Sequence, residues 1–298
     1  MKALFIVNPA AGHGRGEARW AELERGRGFE ARLTRAPGDG AILARRALEE
    51  GFDALVAVGG DGTLGEVVDG FLSAPEGLRG RAALGTLPVG SGCDFARHFG
   101  LGPGADPEAL LAAVPRRLDA GRVDYRGADG APKTRFFLNI AAFGLAGDVA
   151  LRVQRRGKPW GGTLSYMLDS VAALLAARPR RLRLRADGET LDGDYHLVTL
   201  ANTSTFGGGM RIAPGADPCD GALELVTVAG VPRWELLRRF PRIYGGTHVG
   251  VEGVGLRRVR KVEASSDAPA PLNIDGDLDG RLPATFEVLP SAVPFLLP

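Results

Sequence analysis

The sequence predicts two domains: an α/β domain with a doubly wound, mainly parallel sheet over residues 1–125, and a larger, mainly antiparallel β-rich domain over residues 126–298. Three observations support this division. Strand and helix signals alternate up to residue 125. Short segments with alternating apolar and polar positions follow, as in antiparallel sheets. A chain of 298 residues that is 45% hydrophobic can also fill two cores.

The predicted elements of the first domain alternate between strand and helix. An apolar strand over residues 3–7 runs into a glycine-rich turn, and a polar helix follows around Glu17 to Arg25. The next elements are a strand over 29–34, a helix over 42–50, a strand over 53–58, a helix ending at Leu72 and a strand over 83–89. This order predicts parallel strands whose carboxyl ends present loops to a ligand.

The second domain is predicted to consist mainly of strands. They are expected at 136–140, 182–185, 195–201, 222–228, 256–264 and 284–289. One helix interrupts them, because apolar residues from Leu164 to Leu175 share a helical face and Arg178-Pro179 ends the pattern.

Composition and charge exclude several classes of protein. A net charge of +2 is too small for a dedicated nucleic-acid-binding protein. Cys93 and Cys219 are far apart and lack the spacing of a disulfide framework or a zinc site. The N-terminal stretch reads as a strand and a turn rather than a signal peptide, and no apolar run is long enough to cross a bilayer. We therefore expect a cytoplasmic protein that contacts membranes at most peripherally, on their inner face.

The segment DALVAVGGDGTLGE, residues 53–66, is the most informative part of the chain. Gly59, Gly60 and Gly62 allow the backbone to approach a phosphate closely and to point N–H groups at it. Asp61 in the same turn could orient Mg²⁺. The Walker A and G-x-G-x-x-G patterns are absent. As an alternative, Thr63 and Glu66 fit a capping box that only starts a helix.

A second glycine-rich loop follows the next strand, in LGTLPVGSGCDFARHFGL, residues 84–101. Ser91 could donate a hydrogen bond to a phosphate oxygen, and Asp94 could be a second carboxylate facing a metal ion. The alternative role for Asp94 is a helix N-cap. Two such loops in one parallel sheet strengthen the prediction of a nucleotide site.

Five segments together resemble a known family, the diacylglycerol kinase catalytic-domain superfamily, which includes bacterial lipid kinases, sphingosine kinases and ceramide kinases. In chain order, the segments are VNPAAG (7–12), GGDGTLGEV (59–67), LPVGSGCDFAR (87–97), GGGMRIAPGADPCDGALEL (207–225) and NIDGD (273–277). The resemblance spans nearly the whole chain, and five ordered motifs are far more specific than any one of them.

The resemblance implies an ATP-dependent kinase that phosphorylates a lipid hydroxyl in a cleft between the two domains. The residues implied around ATP are Asn8, Pro9, Ala10, Ala11, Gly12, Thr34, Gly59, Gly60, Asp61, Gly62, Thr63, Leu64, Gly65, Glu66 and Ser91. Mg²⁺ near Asp61 and Asp94 would neutralise the phosphates.

The resemblance also implies a general base and a second Mg²⁺ site. Asp275 is the first choice for the base that takes the hydroxyl proton, and Asp277 is the second. The candidate ligands of a structural Mg²⁺ are Asp217, Asp220 and the carbonyl group of Ala222. Taken without the family, the Asp-Gly pairs in these segments would be ordinary turns.

Three positions depart from the family pattern. Gly65 and Cys93 stand where the family has Asn, and Asp277 stands where it has Glu. The loss of two amide side chains removes hydrogen-bonding groups from the nucleotide loops. These departures keep open a nucleotide-binding regulator of the same fold without turnover. An NAD kinase-like enzyme is a second alternative to a lipid kinase, because that related group shares a GGDGT loop and a β-rich second domain.

The expected partners are a lipid with a free hydroxyl and an anionic membrane surface, with no nucleic acid; a homodimer is left open. Two arginine-rich segments could meet anionic headgroups. The first contains Arg152, Arg155, Arg156 and Lys158 beside Trp160, and the second runs from Arg178 to Arg185. The alternative interpretation of both segments is a solvated face.

Overall fold

A computed structural model describes residues 1–80, 82–90, 92–156 and 178–298. The chain forms two compact units. The first contains Met1–Leu118 together with Ser291–Pro298, and the second contains Asp119–Pro290. The units thus divide before the predicted boundary at residue 125, and the final eight residues belong to the first unit.

The first unit is an α/β fold built on a parallel sheet. Its strands are β1 (Ala3–Val7), β2 (Glu30–Leu33), β3 (Ala54–Gly59) and β4 (Ala83–Pro88). Its helices are α1 (Ala11–Gly14), α2 (Gly16–Glu24), α3 (Asp39–Glu49), α4 (Asp61–Ser73), α5 (Glu76–Arg79), α6 (Asp94–His98) and α7 (Pro107–Ala112). The strand order is β4-β3-β1-β2, and Phe295 pairs in parallel with Leu84 at the β4 side.

Strands β1, β3 and β4 are buried on both faces of the sheet, which explains why they are continuous apolar runs, whereas the edge strand β2 is partly exposed. Every residue of β3 and β4 is buried. On one face Phe5 packs against Trp20 with ring centroids 4.7 Å apart. The aromatic ring of Phe295 lies 5.0 Å from that of Phe95. The predicted α/β architecture is confirmed, with element boundaries shifted by a few residues.

The second unit is rich in antiparallel strands. They are β5 (Pro115–Arg126), β6 (Pro132–Phe137), β7 (Ile140–Gly144), β8 (Arg180–Ala186), β9 (Glu189–Thr190), β10 (Gly193–Ala201), β11 (Leu223–Ala229), β12 (Val254–Val259), β13 (Lys261–Ser266), β14 (Pro271–Ile274) and β15 (Asp277–Leu296). Its helices are α8 (Leu145–Arg156), α9 (Arg233–Arg239) and α10 (Arg242–Gly245). Strands β5 and β15 each have one end in the first unit.

The predicted β-rich domain is confirmed, but several of its predicted strands are wrong in detail. The strand predicted over 136–140 spans the break between β6 and β7. The strand predicted over 256–264 is two strands, β12 and β13. Helices α8, α9 and α10 were not predicted, and the helix predicted from Leu164 to Leu175 lies outside the described residues. Within the described residues, no helix combines the length and apolar character needed to span a membrane.

Candidate active site

Three loops of the first unit follow neighbouring parallel strands. Strand β1 leads into Asn8, β3 into Gly60 and β4 into Val89. The loops are joined directly, because Asn8 Nδ2 donates to Thr63 Oγ1 at 3.1 Å and the Val89 N–H donates to the Gly59 carbonyl at 2.9 Å. Strands β2 and β3 lie on opposite sides of β1. The carboxyl edge of the sheet at β1 and β3 is therefore a topological switch point, the place where open α/β sheets bind ligands.

Two glycines let the first and third loops come close together. Gly12 has a φ of 60° and Gly90 a φ of 107°, conformations that favour glycine. A Cβ atom on Gly90 would lie only 3.2 Å from Gly12 Cα. The sequence identified both loops as flexible turns, and the structure shows that they also pack against each other.

The carboxylate of Asp61 caps helix α6. Its Oδ2 accepts the Asp94 N–H at 2.7 Å, and its Oδ1 accepts the Phe95 N–H at 3.1 Å. Asp61 therefore joins the two glycine-rich loops through charge-assisted hydrogen bonds. The interpretation of Asp94 as an N-cap is wrong, because Cys93 holds that position and Asp94 is the first helical residue. Asp94 is buried, and its Oδ1 lies 3.3 Å from Arg97 Nη1.

Glu66 also binds the end of a neighbouring helix. Its two carboxylate oxygens accept the N–H groups of Gly38 and Gly40, each at 2.8 Å, where α3 begins. The capping box with Thr63 is not formed, since α4 begins at Asp61 and its N-cap, Gly60, makes no side-chain cap. Glu66 instead fixes α3 against α4.

Cys93 belongs to the second glycine-rich loop, and its thiol contacts the backbone of both loops. Its Sγ is 3.7 Å from both the Gly59 and the Gly90 carbonyl oxygens. Burial, together with the nearby Asp61 and Asp94 carboxylates, raises the pKa of this thiol to about 12. The thiol therefore stays protonated and acts as a weak donor to one carbonyl at a time.

The other residues predicted around ATP occupy the same edge of the sheet or the helix that follows it. Thr34 is buried at the end of β2, where its N–H donates to the Val7 carbonyl at 2.9 Å. Pro9, Ala10 and Ala11 form the turn after Asn8, whose Oδ1 accepts the Ala10 N–H. Leu64 and Gly65 are buried in α4. Ser91 lies outside the described residues.

In the second unit, Asp275 and Gly276 form the two-residue turn of the β14–β15 hairpin. Ile274 pairs with Asp277 across this turn, and both turn residues have positive φ, 48° for Asp275 and 94° for Gly276. Asp-Gly is a favoured sequence for such a turn. The interpretation of this pair as a turn is confirmed.

The Asp275 side chain turns inward toward the segment that joins β6 and β7. Its oxygens accept the N–H groups of Leu138 at 3.0 Å, Asn139 at 3.0 Å and Ile140 at 2.7 Å. Burial raises the pKa of Asp275 to about 7, although the three N–H donors and Arg135 favour the ionised form. A carboxylate with a pKa near neutrality is suited to general-base catalysis.

Asp277 has a different environment from Asp275. Its carboxylate is half exposed and lies 3.5 Å from the guanidinium of the largely buried Arg135. The same guanidinium lies 4.0 Å from Asp279, which accepts a hydrogen bond from the Tyr125 hydroxyl at 2.5 Å. Of the two candidate bases, only Asp275 is removed from water.

The loop of the predicted metal site is closed by its own hydrogen bonds. Asp217 accepts the Cys219 N–H, and Asp220 accepts the Ala222 N–H, both at 3.0 Å. The second oxygen of Asp220 pairs with Arg258 at 2.6 Å. Across the described residues, no group of three or more His, Cys, Asp or Glu side chains could hold a metal ion. The predicted ligand set has only two carboxylates, Asp217 and Asp220, with the Ala222 carbonyl, so this assignment stays a prediction.

Sequence reasoning missed Asp119 beside this loop. Asp119 is 1% exposed, and its Oδ2 accepts the Gly221 N–H at 2.7 Å. Its backbone N–H donates to the Pro218 carbonyl. Asp119 therefore anchors the loop from a strand about 100 residues earlier, a long-range relation that no local sequence signal reveals.

The second unit also contains an apolar cavity of about 110 Å³ that the sequence did not predict. Helices α8, α9 and α10 and strands β10, β11 and β12 contribute to its walls. Its apolar lining includes Leu145, Val149, Leu197, Met210, Ile212 and Phe240. Arg239 also lines it, but its guanidinium is held by Glu235 and by the Glu252 carbonyl.

The predicted basic segments are only partly available as a positive surface. Arg180 pairs with Asp148 at 2.9 Å, and Arg183 pairs with Asp267 at 2.8 Å. Arg181 and Arg185 are exposed. In the first segment, the side chains of Arg152, Arg155 and Arg156, and the whole of Lys158 and Trp160, lie outside what the structure describes.

The chain resembles known proteins over both units. Residues 2–123 match the diacylglycerol kinase catalytic domain, and residues 139–297 match the YegS C-terminal NAD kinase beta sandwich-like domain. A diacylglycerol kinase of Mycobacterium tuberculosis is 33% identical over 316 residues, which cover 100% of this chain and 95% of that protein. A diacylglycerol kinase of Bacillus subtilis is 29% identical over 294 residues, covering 96% and 92%.

A crystal structure of a diacylglycerol kinase from Bacillus anthracis has the same fold. It has a TM-score of 0.71 at 17% identity and covers 100% of this chain and 97% of that one. The predicted family, inferred from five segments, is confirmed by matches that span both units. The chain belongs to the diacylglycerol kinase catalytic domain family, with a YegS-type C-terminal domain.

Proposed function

We propose that the protein is an ATP-dependent lipid kinase that phosphorylates a hydroxyl group of diacylglycerol or a related lipid. The observation that carries this proposal is the apolar cavity of the second unit. Apolar walls bind hydrocarbon by removing it from water. The relatives from M. tuberculosis and B. subtilis are named diacylglycerol kinases, which supports the same assignment.

The first unit supplies a site suited to the nucleotide. The loops after β1, β3 and β4 meet at the switch point of the sheet, and α4 starts there. A phosphate at this edge would meet backbone N–H groups at the positive end of the helix dipole. The donor would be ATP as its Mg²⁺ complex, the usual substrate of phosphoryl-transfer enzymes.

The proposed reaction is a displacement at the γ-phosphorus. The lipid hydroxyl oxygen forms a bond to that phosphorus, the bond from the phosphorus to the β,γ-bridging oxygen breaks, and ADP leaves. Asp275 is the proposed acceptor of the hydroxyl proton, because burial brings its pKa to about 7. Asp277, ion-paired with Arg135 and half exposed, is the weaker candidate.

The cavity also favours a lipid over the main enzymatic alternative, an NAD kinase-like activity. NAD carries two phosphates and two riboses, whose charge and hydroxyl groups require polar partners. The cavity wall consists mainly of aliphatic and aromatic side chains, and its arginine is already paired. Such a lining is suited to acyl chains.

A direct assay tests the proposal. The protein is incubated with γ-labelled ATP and, separately, diacylglycerol in mixed micelles or NAD. We expect label in the lipid only. A Val149→Phe variant, which fills the cavity, should raise KM for the lipid while leaving ATP binding unchanged. Labelling of NAD would favour the NAD kinase-like alternative, and ATP binding without any labelled product would favour the regulator.

An exposed surface beside the cavity supports peripheral contact with an anionic membrane. Trp234 is 63% exposed, and Arg238 and Arg242 are also exposed. These three residues follow one another at intervals of four, along the outside of α9 and α10. Phe240 and Ile243 of the same segment line the cavity. Tryptophan favours the headgroup region, and arginine binds anionic lipids.

A further inference from the structure

Two peptide groups that donate to Asp275 are hydrogen-bonded at both ends. Their N–H groups, from Asn139 and Ile140, donate to Asp275 Oδ1 at 3.0 and 2.7 Å. Their carbonyl groups belong to the preceding residues, Leu138 and Asn139. The Leu138 carbonyl accepts Asn202 Nδ2 at 2.8 Å, and the Asn139 carbonyl accepts the Asn202 backbone N–H at 2.9 Å. Asn202 therefore binds, from the far side, both peptide groups that donate to this oxygen.

The neighbours of Asn202 fix the orientation of its side chain. Besides the Leu138 carbonyl, Nδ2 donates to the carbonyl of Asp119 at 3.0 Å; the Asp119 carboxylate accepts the Gly221 N–H. Carbonyl oxygens only accept hydrogen bonds, so the nitrogen of the amide must face them. Asn202 is 1% exposed, and its Oδ1 has no partner among the residues that the structure describes. Because an unpaired buried oxygen costs free energy, the two N–H donors, rather than packing, explain an asparagine here.

The position of Asn202 follows from the register of β10. This strand ends at Ala201, which pairs with Ile140 at the start of β7. The next residue along the chain therefore lies beside the segment between β6 and β7, the segment that binds Asp275. A hydrogen bond received by the carbonyl end of a peptide group polarises the group and strengthens donation from its N–H. Stronger donors favour the ionised form of a carboxylate.

We propose that Asn202 is a positioning residue for the proposed base: it holds two peptide groups with their N–H bonds on Asp275 and strengthens both donors. This inference rests on the proposed function. The effect opposes that of burial, which raises the pKa of Asp275 to about 7. Without the Asn202 amide, we expect the pKa to rise further.

Charged side chains near Asp275 would remain in place in an Asn202 variant. Arg135 of β6 favours the ionised form of Asp275. Its guanidinium lies 3.5 Å from Asp277 and 4.0 Å from Asp279, both on β15. The sequences of β7 and β14 contain no charged residue. Because Asn202 is itself neutral, its substitution changes the hydrogen bonds of the peptide donors and leaves the charges unaltered.

The pH dependence of turnover tests the inference. Asn202→Leu removes the side-chain donors at similar volume and should move the acid limb of kcat/KM to higher pH by about half a unit. Thr203→Val is the matched control, since the buried Thr203 hydroxyl donates to the side chain of Asn139 and not to a peptide carbonyl. Its acid limb should stay at the wild-type pH. An unmoved limb in Asn202→Leu, or an equal shift in Thr203→Val, would overturn the inference.

Urea unfolding separates this inference from the proposed function, because it does not depend on turnover. Asn202→Leu should lose more stability at pH 8, where Asp275 is ionised, than at pH 5, where it is protonated. In an Asp275→Asn background, the loss should be the same at both pH values.

If no lipid is phosphorylated, the proposed function fails, while a loss that depends on both pH and Asp275 still supports the role of Asn202. Should Asn202→Leu fail to fold, Asn202→Ala removes the same side-chain donors without adding apolar bulk and replaces it in both measurements. Equal losses of stability at pH 5 and pH 8 would overturn the inference.

Discussion

The Asp61 carboxylate accepts the backbone N–H of Asp94 at 2.7 Å, so one glycine-rich loop caps the helix that follows the other. This contact gives Asp61 a structural role in addition to its proposed role near the phosphates. For substitutions of Asp61, the stability of the protein must therefore be measured as well as its turnover.

We expect Asp61→Ala to lower the free energy of unfolding by about 1 kcal/mol, the usual effect of losing a helix cap. Asp61→Asn retains one acceptor and should be closer to the wild type in stability. Both should lose most phosphoryl transfer, because neither carries the negative charge. Thermal unfolding and turnover, measured on the same samples, test this prediction. Wild-type turnover in Asp61→Asn would show that phosphoryl transfer does not need the negative charge of Asp61.

For the proposed base, we expect Asp275→Asn to reduce turnover by about 100-fold or more while ATP binding is nearly unchanged. In the wild type, kcat/KM should fall as pH drops below about 7, because the protonated Asp275 cannot accept the hydroxyl proton. Asp277→Asn is the control, since that carboxylate is half exposed. A pH profile that is flat from 6 to 8 would argue against Asp275 as the base.

The raised pKa of Asp275 also predicts how stability depends on pH. The folded protein holds this proton up to about pH 7, whereas the unfolded chain releases it near pH 4. The contribution is fully present below the lower value and is lost as pH rises through the higher one. Urea unfolding from pH 4 to 8 should therefore show a decline that Asp275→Asn lacks.

Glu66 should act mainly through helix α3. Because its oxygens bind the Gly38 and Gly40 N–H groups, Glu66→Ala should destabilise the protein by about 1 kcal/mol. A Cβ on Gly40 would lie 2.7 Å from a Glu66 oxygen, so Gly40→Ala should displace the same contact. We expect both variants to lose the same amount of stability and to keep the wild-type KM for ATP. A large rise in KM for ATP in Glu66→Ala alone would indicate that Glu66 contacts ATP directly.

Cys93→Asn tests one departure from the family pattern. The amide of Asn can donate two hydrogen bonds, whereas the thiol donates one weak bond toward the Gly59 or Gly90 carbonyl. We expect a lower KM for ATP, further lowered by Gly65→Asn. Cys219→Asn, in the second unit, is the matched control. An unchanged or higher KM would mean that the loops already hold the nucleotide without these amides.

Membrane contact can be measured by co-sedimentation with vesicles. The wild type should bind phosphatidylglycerol vesicles more tightly than phosphatidylcholine vesicles, and Trp234→Ala and Arg238→Ala should each weaken that binding. Each basic residue near an anionic surface contributes about 1 kcal/mol. Leu256→Ala, at another exposed apolar residue, is the control. Equal loss in the Leu256 variant would exclude a specific role for Trp234.

The sequence predicted those parts of the fold and site that depend on local signals. Apolar runs located β1, β3 and β4, and the Asp-Gly pair located the hairpin turn at Asp275. The contacts that give the site its geometry join residues distant in the chain: Asp61 with Asp94, and Asp275 with residues 138–140. Neither periodicity nor turn chemistry encodes such pairs.

The cavity was beyond sequence analysis for a related reason. Leu197 lines the cavity, and the pairing of β10 with β11 shifts register between Tyr195 and Leu197, an irregularity that alternation along the strand does not predict. Two predicted strands likewise merged separate elements, because the apolar pattern continues across the breaks after Phe137 and Val259.

The membership of Ser291–Pro298 in the first unit has a consequence for biosynthesis. Phe295 is fully buried, pairs with Leu84 and packs on Phe95. During translation, residues 1–118 leave the ribosome long before this partner exists, so the β4 side of their sheet remains open while the second unit is made. A nascent chain halted before residue 291 should therefore remain sensitive to proteases in its first 118 residues and become resistant only after Ser291–Pro298 has emerged from the ribosome.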